Sequence, residues 1–491
     1  MQPRVQARFD ELWRLLSSPG PNDPGPPPSA RLYQGDARAL MDAGVLTQAS
    51  QHPTRGWVTP FSVVEDKSTG KRRRFIAWPR MKNAADPYEA EVPLGHVTGY
   101  LDAVWGECAS NLDLKASFYQ APLPEAARAA FRCHLEDGTL VELARLPMGY
   151  VASPETMQLL TSALVGAPSV AAGGCRCPSV LKVDVWIDNV RIAGPRDEVA
   201  AWTARVTQLA RDAQVTLGEC EETATNYTFV GVTFDHRART VRIGEKAWRH
   251  LVETPPWREM HVGDLEVFAS RAIFGAAILG IRLFRYYMFL KFVRRKLSAL
   301  NRGTASLSTR AQMTPYVERF ADDLLQVLRR NEARSVPRRG VEPSATLVTD
   351  ASLQGWGAVL FMDAGPVLIA GARWPETPGM IMQAEARAVR LGLLAFRTHI
   401  PRRLRILIDN TSVLGAVRRG ISKSGALAVE LQEVDHVLRE GGVEAEYRYI
   451  RSENNVADWP SRALDVPRAA LAKGYHLRRG DRDPWDLPKD P

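Results

Sequence analysis

The sequence predicts a multidomain chain of mixed α+β and α/β class. Three observations carry this. Strand-like and helix-like segments alternate from about residue 31 to 240. From about 245 to 335 the apolar period is helical, with frequent Arg and few strand signals. After a linker, "NEARSVPRRGVEPSAT" (331–346), a second α/β unit of about 120 residues opens with "LVTDAS". A chain of 491 residues has room for several domains of roughly 100–200 residues each.

Taken in order, a short amphipathic helix is expected at Val5–Leu16. The Pro/Gly-rich "SSPGPNDPGPPPSA" (17–30) cannot pack, and it is expected to detach that helix. "STGKRRRFIAWPRMKN" (68–83) reads as a Gly turn followed by a basic strand. "NLDLKASFYQAPL" (111–123) reads as a strand running into a turn, and "ARLPMGYVASPETMQ" (144–158) as a Gly/Pro loop leading into a helix. "VDVWIDNVRIAG" (183–194) is an apolar strand pattern interrupted by acids, and "YTFVGVTFD" (227–235) a strand with a central Gly. "AIFGAAILGIRLFRYYMFLKFV" is the most apolar window. Its longest uncharged run, Ala272–Ile281, is too short to span a bilayer, so a buried helix with a basic edge is expected. In the second unit, "LQGWGAVLFMDAGPVLIAGARW" reads as a Gly-rich hairpin. The helix "MQAEARAVRLGLLAF", the strand "LRILIDN", a further helix and the strand "EAEYRYI" follow. The tail after 465 is polar and Pro-containing, and is expected to be loosely ordered.

The 64 Lys and Arg against 55 Asp and Glu leave a net charge of +9, which favours polyanionic partners, nucleic acid first. Five cysteines without zinc-like spacing indicate reduced thiols, and the N-terminus has no apolar signal core. An intracellular location, cytoplasm or nucleus, without membrane attachment is the expectation.

Asp113 ends one strand, and Asp188, followed by Asn189, stands at the turn of a later hairpin. Alone, Asp113 also reads as a helix cap, and Asp188–Asn189 as ordinary turn chemistry. Together, acids on separate strands are how two-metal phosphoryl-transfer sites are built. The ordered set of basic strand, Asp-bearing strand, Gly-Pro loop, acidic hairpin and Gly-bearing strand resembles the fingers and palm of reverse transcriptases over about residues 55–240. The resemblance implies Asp113 and Asp188 as metal ligands, with Asn189 where relatives carry a second Asp and Trp186 where they carry Tyr. Asp184, on the entering strand, is not the chosen ligand. Phe118 would be the gate that excludes a ribose 2′-hydroxyl. Arg74 and Lys71 would hold the incoming triphosphate. Met148, Gly149 and Gln158 would line the nucleotide and template site, and Gly231 would belong to the strand that grips the primer end. Glu219 lies where many relatives have a Lys. The helical stretch 245–335 would be the thumb, its Arg and Lys meeting the duplex backbone.

The second unit carries Asp350 after "LVT", Glu385 in a helix, Asp409 after "RILI" and Asp458 in "NNVADWPSR". Each has an ordinary local reading: Glu385 as a solvated helix face, Asp409 and Asp458 as caps. In that order, on strand, helix, strand and helix start, the four acids resemble the ribonuclease H domain of retroelements over about 344–465. The resemblance implies a mixed sheet and two Mg²⁺ ions, with Mn²⁺ as an alternative, held by Asp350, Glu385, Asp409 and Asp458. It implies supporting roles for Ser352 and Asn410. The order of the domains, with "WIDN" and "NVADWPSR", is similar to tyrosine-recombinase retrotransposons of the DIRS or VIPER kind.

The expected organisation is therefore an N-terminal helix and linker (1–30), fingers and palm (31–244), helical thumb or connection (245–335), ribonuclease H-like domain (344–465) and tail (466–491). The expected activity is RNA-directed DNA synthesis with hybrid-specific RNA cleavage, using two ions per site. Partners would be RNA template, DNA primer, RNA–DNA hybrid and deoxynucleoside triphosphates, with other proteins of the element supplying coat, processing and integration. Asn189 and Glu219 keep two rivals open: a nucleic-acid-binding scaffold derived from such an element, and a ribonuclease H with a silent polymerase half.

Overall fold

An apolar stripe must be buried somewhere, whatever linker follows it. The computed structural model describes residues 1–18, 31–51, 61–65, 73–77, 79–92, 94–338, 340–363, 365–375 and 378–471. The chain divides into two compact units, 1–240 and 241–491.

In the first unit, helix α1 (Pro3–Ser17) is docked, not detached as its linker suggested. Leu12 and Leu16 are wholly buried in the same apolar cluster as Leu112, Tyr150 and Ile192. Its buried Arg8 donates through Nε and Nη2 to both oxygens of Glu155, at 2.8 and 3.0 Å. Such a forked pair fixes orientation as well as charge.

The functional scaffold of this unit is a four-stranded sheet. Strand β1 (Cys108–Leu114) is followed by helix α2 (Ser153–Leu164), strand β2 (Lys182–Trp186), strand β3 (Asn189–Gly194), helix α3 (Arg196–Asp212) and strand β4 (Leu217–Ala224). The order is β2-β3-β1-β4, antiparallel throughout. The charge of Asp184 inside β2 has a structural cause. Its carboxylate accepts from Arg191 Nε at 3.2 Å, and Arg191 is fully buried. The guanidinium carbon lies 4.7 Å from the ring centroid of Phe229 and 4.5 Å from that of Phe234. A buried charge needs such a counter-ion.

Those two phenylalanines correct another expectation. The stretch 227–235 is not one strand but a hairpin, Asn226–Phe229 against Val232–Asp235. Val230 and Gly231 form its turn with φ of 47° and 75°. Positive φ at both turn residues suits the right-handed twist of the strands, and Gly231 supplies it freely. The basic strand forms as expected, Arg73–Ala77 pairing antiparallel with Phe61–Glu65 and placing Arg74 opposite Val64. Lys71 lies outside the described residues.

In the second unit the expected apolar helix is two. Helix α4 (Val262–Leu279) ends at Gly280, whose φ is 67°, and helix α5 (Tyr287–Asn301) begins after a short 3-10 turn, Phe284–Tyr286. Arg334 lies over Gly280, where a Cβ would come within 2.5 Å of its guanidinium carbon. Only glycine serves both the left-handed backbone and this contact. Helix α6 (Pro315–Arg330) is capped by the Thr314 hydroxyl, which accepts from the Val317 N–H.

Then come β5 (Ala345–Ala351), β6 (Gly355–Met362), β7 (Leu368–Arg373), helix α7 (Ile381–Ala395), β8 (Arg403–Ile408), α8 (Thr411–Arg419), α9 (Gly425–Glu440), β9 (Glu444–Tyr449) and the short α10 (Asp458–Ser461). The sheet runs β7-β6-β5-β8-β9, antiparallel over the first three strands and parallel over β5, β8 and β9. This is the expected mixed sheet. Phe284 shares its core with Leu347, Ile406 and Leu431. The Leu283 N–H donates to Gly420 O at 2.7 Å. The linker before β5 is partly anchored, Glu342 pairing with Arg405 at 2.5 Å. Residues 472–491 of the tail lie outside the described residues. Among the described residues, no helix is long and apolar enough to cross a membrane.

Candidate active sites

β5 and β8 are adjacent and parallel, so their C-terminal ends point the same way. That brings Asp350, near the end of β5, beside Asp409, which follows β8. Helix α7 crosses the sheet and adds Glu385. One oxygen from each of Asp350, Glu385 and Asp409 lies within 4.8 Å of the others. Among the described residues this is the one such group of three or more potential ligands. Asp350 and Glu385 are each only 5% exposed, so the solvated-face reading of Glu385 is overturned. Helix α7 lays Ala384, Glu385, Ala388 and Gly392 against the sheet, and small residues there let the helix approach closely.

The cluster is electrostatically costly without a cation. Burial, then Asp409 and Asp350, pushes the Glu385 carboxyl up to about 9. Burial, reinforced by Asp409 and Asp458 and opposed by the Ser461 hydroxyl, pushes Asp350 to about 6. Glu385 Oε2 is buried and accepts no hydrogen bond. A buried, unpartnered acceptor among gathered carboxylates is an arrangement that a divalent cation would complete. The donor set is all oxygen, which suits Mg²⁺ or Mn²⁺. The residues present therefore fit such an ion.

The fourth acid stands apart. Asp458 opens α10 and accepts from Arg462 Nε and Nη2, at 2.9 and 2.8 Å. It is not within the group of three, though its charge reaches Asp350. Asn410 is a helix cap in fact, its Oδ1 accepting from the Ser412 and Val413 N–H groups at 3.0 and 3.1 Å. Ser352 ties the β5–β6 turn to α10, donating to Ser461 O at 2.7 Å.

In the first unit, Asp113 is a strand residue and not a helix cap. β1 and β3 place it directly opposite Asn189. The Leu114 N–H donates to Asp188 O at 3.0 Å, which brings the Asp188 backbone to the end of β1. Two segments distant in the chain thus meet at this end of the sheet. Ile187 and Asp188 form a two-residue turn, and Ile187 takes φ of 59°. That is a strained state for a β-branched residue, costing about 1–2 kcal/mol. Gln158, on α2, holds it: its Oε1 accepts from the Ile187 N–H at 2.7 Å and its Nε2 donates to Val185 O at 3.0 Å. Gln158 therefore buttresses the acidic turn. Both oxygens of Asp188 have local partners, Asn189 Nδ2 at 2.9 Å and Ser117 Oγ at 3.3 Å. Asp113 Oδ1 is buried without a partner.

The remaining sequence candidates sit around this turn or elsewhere in the unit. Phe118, in the 3-10 turn Ser117–Gln120, is half-buried against the core. Met148 is half-buried, and Gly149 O accepts from Asn83 Nδ2 at 3.0 Å. Gly231 is a turn residue, and Glu219 is exposed on β4.

Sequence reasoning missed four participants. Gly218 packs on Asp113, where a Cβ would fall 2.4 Å from Oδ1; a glycine inside a strand signals such close approach. Ser461 donates to Asp350 Oδ2 at 2.6 Å, and Asn455 Nδ2 to Asp350 Oδ1 at 3.2 Å. Arg462 binds Asp458. The last three lie within or beside "NNVADWPSR", but only the fold shows which acid each one serves.

Residues 343–463 match the family described as reverse transcriptase-like. No curated protein matches the sequence significantly. Among solved structures, the chain is similar to the foamy viral protease-reverse transcriptase dRH in complex with double-stranded DNA. The TM-score is 0.51 at 14% identity, over 91% of this chain and 79% of that one. It is equally similar to the foamy viral protease-reverse transcriptase with double-stranded DNA, TM-score 0.51 and 14% identity over 92% and 94%. At that identity the likeness establishes the fold.

Proposed function

We propose that this chain, a retroelement-type reverse transcriptase–ribonuclease H by its matched domain and fold, copies RNA into DNA and removes the RNA strand of the resulting hybrid. The observation that carries the reading is the largely buried Asp350–Glu385–Asp409 cluster inside the reverse transcriptase-like domain. Three carboxylates, two of them buried and Asp409 half-buried, would not be gathered this closely unless a cation were to join them. Asp350, Glu385 and Asp409 would hold the ions, with Asp458 available once Arg462 lets go. Bound divalent ions would activate the attacking oxygen and neutralise charge on the leaving one. Ser461 and Asn455 hold the Asp350 carboxylate at a fixed angle.

In the first unit, Asp113 and Asp188 would hold the ions for nucleotidyl transfer. Asn189 offers a carbonyl oxygen in place of a second carboxylate, and Phe118, Arg74, Met148 and Gly149 would contact the nucleotide and template. Nucleic-acid partners are also supported by the DNA complexes in which the similar viral enzyme was solved. "WIDN" and "NVADWPSR" support a place beside DIRS- or VIPER-like elements.

A second reading has its own observation. Both oxygens of Asp188 are engaged by local donors, and Asn189 carries no charge, which favours a nuclease with a slow or silent polymerase half. Primer extension on an RNA template and cleavage of a labelled RNA–DNA hybrid, with Mg²⁺ and with Mn²⁺, test both readings. Extension and cleavage by one protein support the first; cleavage without extension in either metal supports the second. The absence of both activities would overturn the proposal.

A further inference from the structure

Arg191 is a fully buried cation where four segments of the first unit meet. It stands on β3, in register with Asp184 on β2, and two residues beyond Asn189 on the same face of the sheet. Its Nε and Nη2 both donate to Asp184 Oδ2, and Nη2 also donates to Tyr100 O at 2.7 Å. Phe229 and Phe234, one on each strand of the 226–235 hairpin, both lie against the guanidinium. Within that hairpin Tyr227 stacks on Phe234 with ring centroids 5.2 Å apart, and its hydroxyl lies 3.0 Å from His236 Nε2. His236 Nδ1 lies 2.8 Å from Gly106 O. The imidazole therefore donates to that carbonyl and accepts from Tyr227.

The hairpin also reaches the acidic turn through rings. Trp186 ends β2 immediately before Ile187 and Asp188. Tyr100 meets Trp186 edge-on, with centroids 6.3 Å apart, and meets Phe229 at 5.8 Å. Phe229 in turn precedes the Val230–Gly231 turn. Two ring contacts thus link the hairpin's turn to the turn that carries Asp188. Stability does not explain a charge at this junction, because apolar side chains of similar volume usually serve a buried site as well as an ion pair does. A planar fork of N–H donors supplies something they do not, a fixed direction. Apolar groups could fill the volume without setting the angle of the hairpin on the sheet.

We infer that Arg191 is a positioning residue for nucleotidyl transfer. Paired with Asp184 and covered by Phe229 and Phe234, it fixes the 226–235 hairpin relative to the Asp113–Asp188 site. A primer end resting on the Val230–Gly231 turn then has its 3′ oxygen aimed at the ions. The inference rests on the polymerase reading above. Arg191 touches no reacting atom and acts only through the hairpin, so its loss is felt in aim, and aim governs rate more than binding.

The test compares two variants of the full chain with wild type. Asp184→Leu with Arg191→Met removes both charges together and leaves no buried ion unpaired. Phe234→Leu keeps the ion pair and removes one ring from it. Both should melt near the wild-type temperature. kcat for primer extension on an RNA template should fall at least about tenfold, with KM for primer–template and for deoxynucleotide within about threefold. Hybrid cleavage, in the second unit, should not change. Amide hydrogen exchange over 226–235 should quicken although the melting temperature holds. Wild-type kcat in either folded variant would overturn the inference, as would a loss confined to KM. So would a rate that falls only in proportion to the folded fraction, since Arg191 would then be structural. Hairpin amides that exchange as slowly as in wild type would overturn it too. If wild type extends no primer with Mg²⁺ or Mn²⁺, exchange alone decides: faster exchange in both variants keeps Arg191 as the residue that fixes the hairpin, and the polymerase reading falls.

Discussion

The two acid sites solve one problem in opposite ways. At Asp350, Glu385 and Asp409 the side chains are crowded, the first two buried and Asp409 half-buried, and the cost is electrostatic: one carboxyl is driven to about 6 and another to about 9. At Asp113 and Asp188 the side chains are only half-buried, and the cost is conformational: Ile187 is held at φ of 59° by Gln158. The first arrangement stores repulsion that a cation relieves. The second stores backbone strain that presents a turn. The comparison teaches that acids on an antiparallel hairpin are brought together by an aimed turn, whereas acids at the ends of adjacent parallel strands and on a crossing helix are brought together by the sheet itself. It also separates the sites by charge, three gathered carboxylates against two plus an amide.

The comparison breaks most sharply under paired substitutions. A metal ion supplies several kcal/mol of charge stabilisation, about 10²–10³ in rate. Asp409→Asn should lower hybrid cleavage by at least that factor and leave primer extension intact. Asp113→Asn should do the reverse. Both activities collapsing together in either variant would mean that the residue is structural.

Phe118→Ala comes next. Opening the space beside the acidic turn should raise ribonucleotide relative to deoxyribonucleotide incorporation about tenfold, the scale on which pockets sense one small group. If competition assays show no change in that ratio, Phe118 is a core residue only.

Asn189→Asp brings the first site closer in charge to the second. One added charge near a partly exposed cation contributes about 1 kcal/mol, so the Mg²⁺ needed for half-maximal extension should fall about fivefold. An unchanged Mg²⁺ titration would remove Asn189 from the site.

A further effect is on stability and has a definite sign. The Glu385 carboxyl is raised from 4.5 to about 9. Below that window both folded and unfolded chains carry the proton. Within it the folded chain keeps a proton that the unfolded chain has released. Metal-free protein should therefore lose stability as pH rises from about 4.5 towards 9, and Glu385→Gln should flatten that loss. Divalent-ion binding near pH 7 should in turn release close to one proton, read as a dependence of the calorimetric heat on buffer ionisation enthalpy. A wild-type stability profile parallel to that of Glu385→Gln would show that Glu385 is not held protonated.

Much of this was written in local chemistry. The acid on each strand end and the helix carrying Glu385 could be read from residue order, because period and turn chemistry are local properties; the mixed sheet came from the resemblance. The dispositions of Gly231, Gly280 and helix α1 could not. Whether a glycine sits within a strand, turns a hairpin or ends a helix depends on its φ, and residue type only permits that value. A Pro/Gly linker sets where a helix can go but not where its apolar stripe finds a partner.

The sequence by itself determined which groups are present: seven candidate catalytic residues in two ordered sets, an excess of basic charge, and strands and helices in the right succession. Only the tertiary structure decided which of those groups meet. It buried Glu385, paired Asp458 with Arg462 and Asp184 with Arg191, and set Gln158 behind a strained turn. The reason is physical: propensity acts over a few residues, whereas desolvation and Coulomb energy depend on distances between groups far apart in the chain, and folding alone sets those distances.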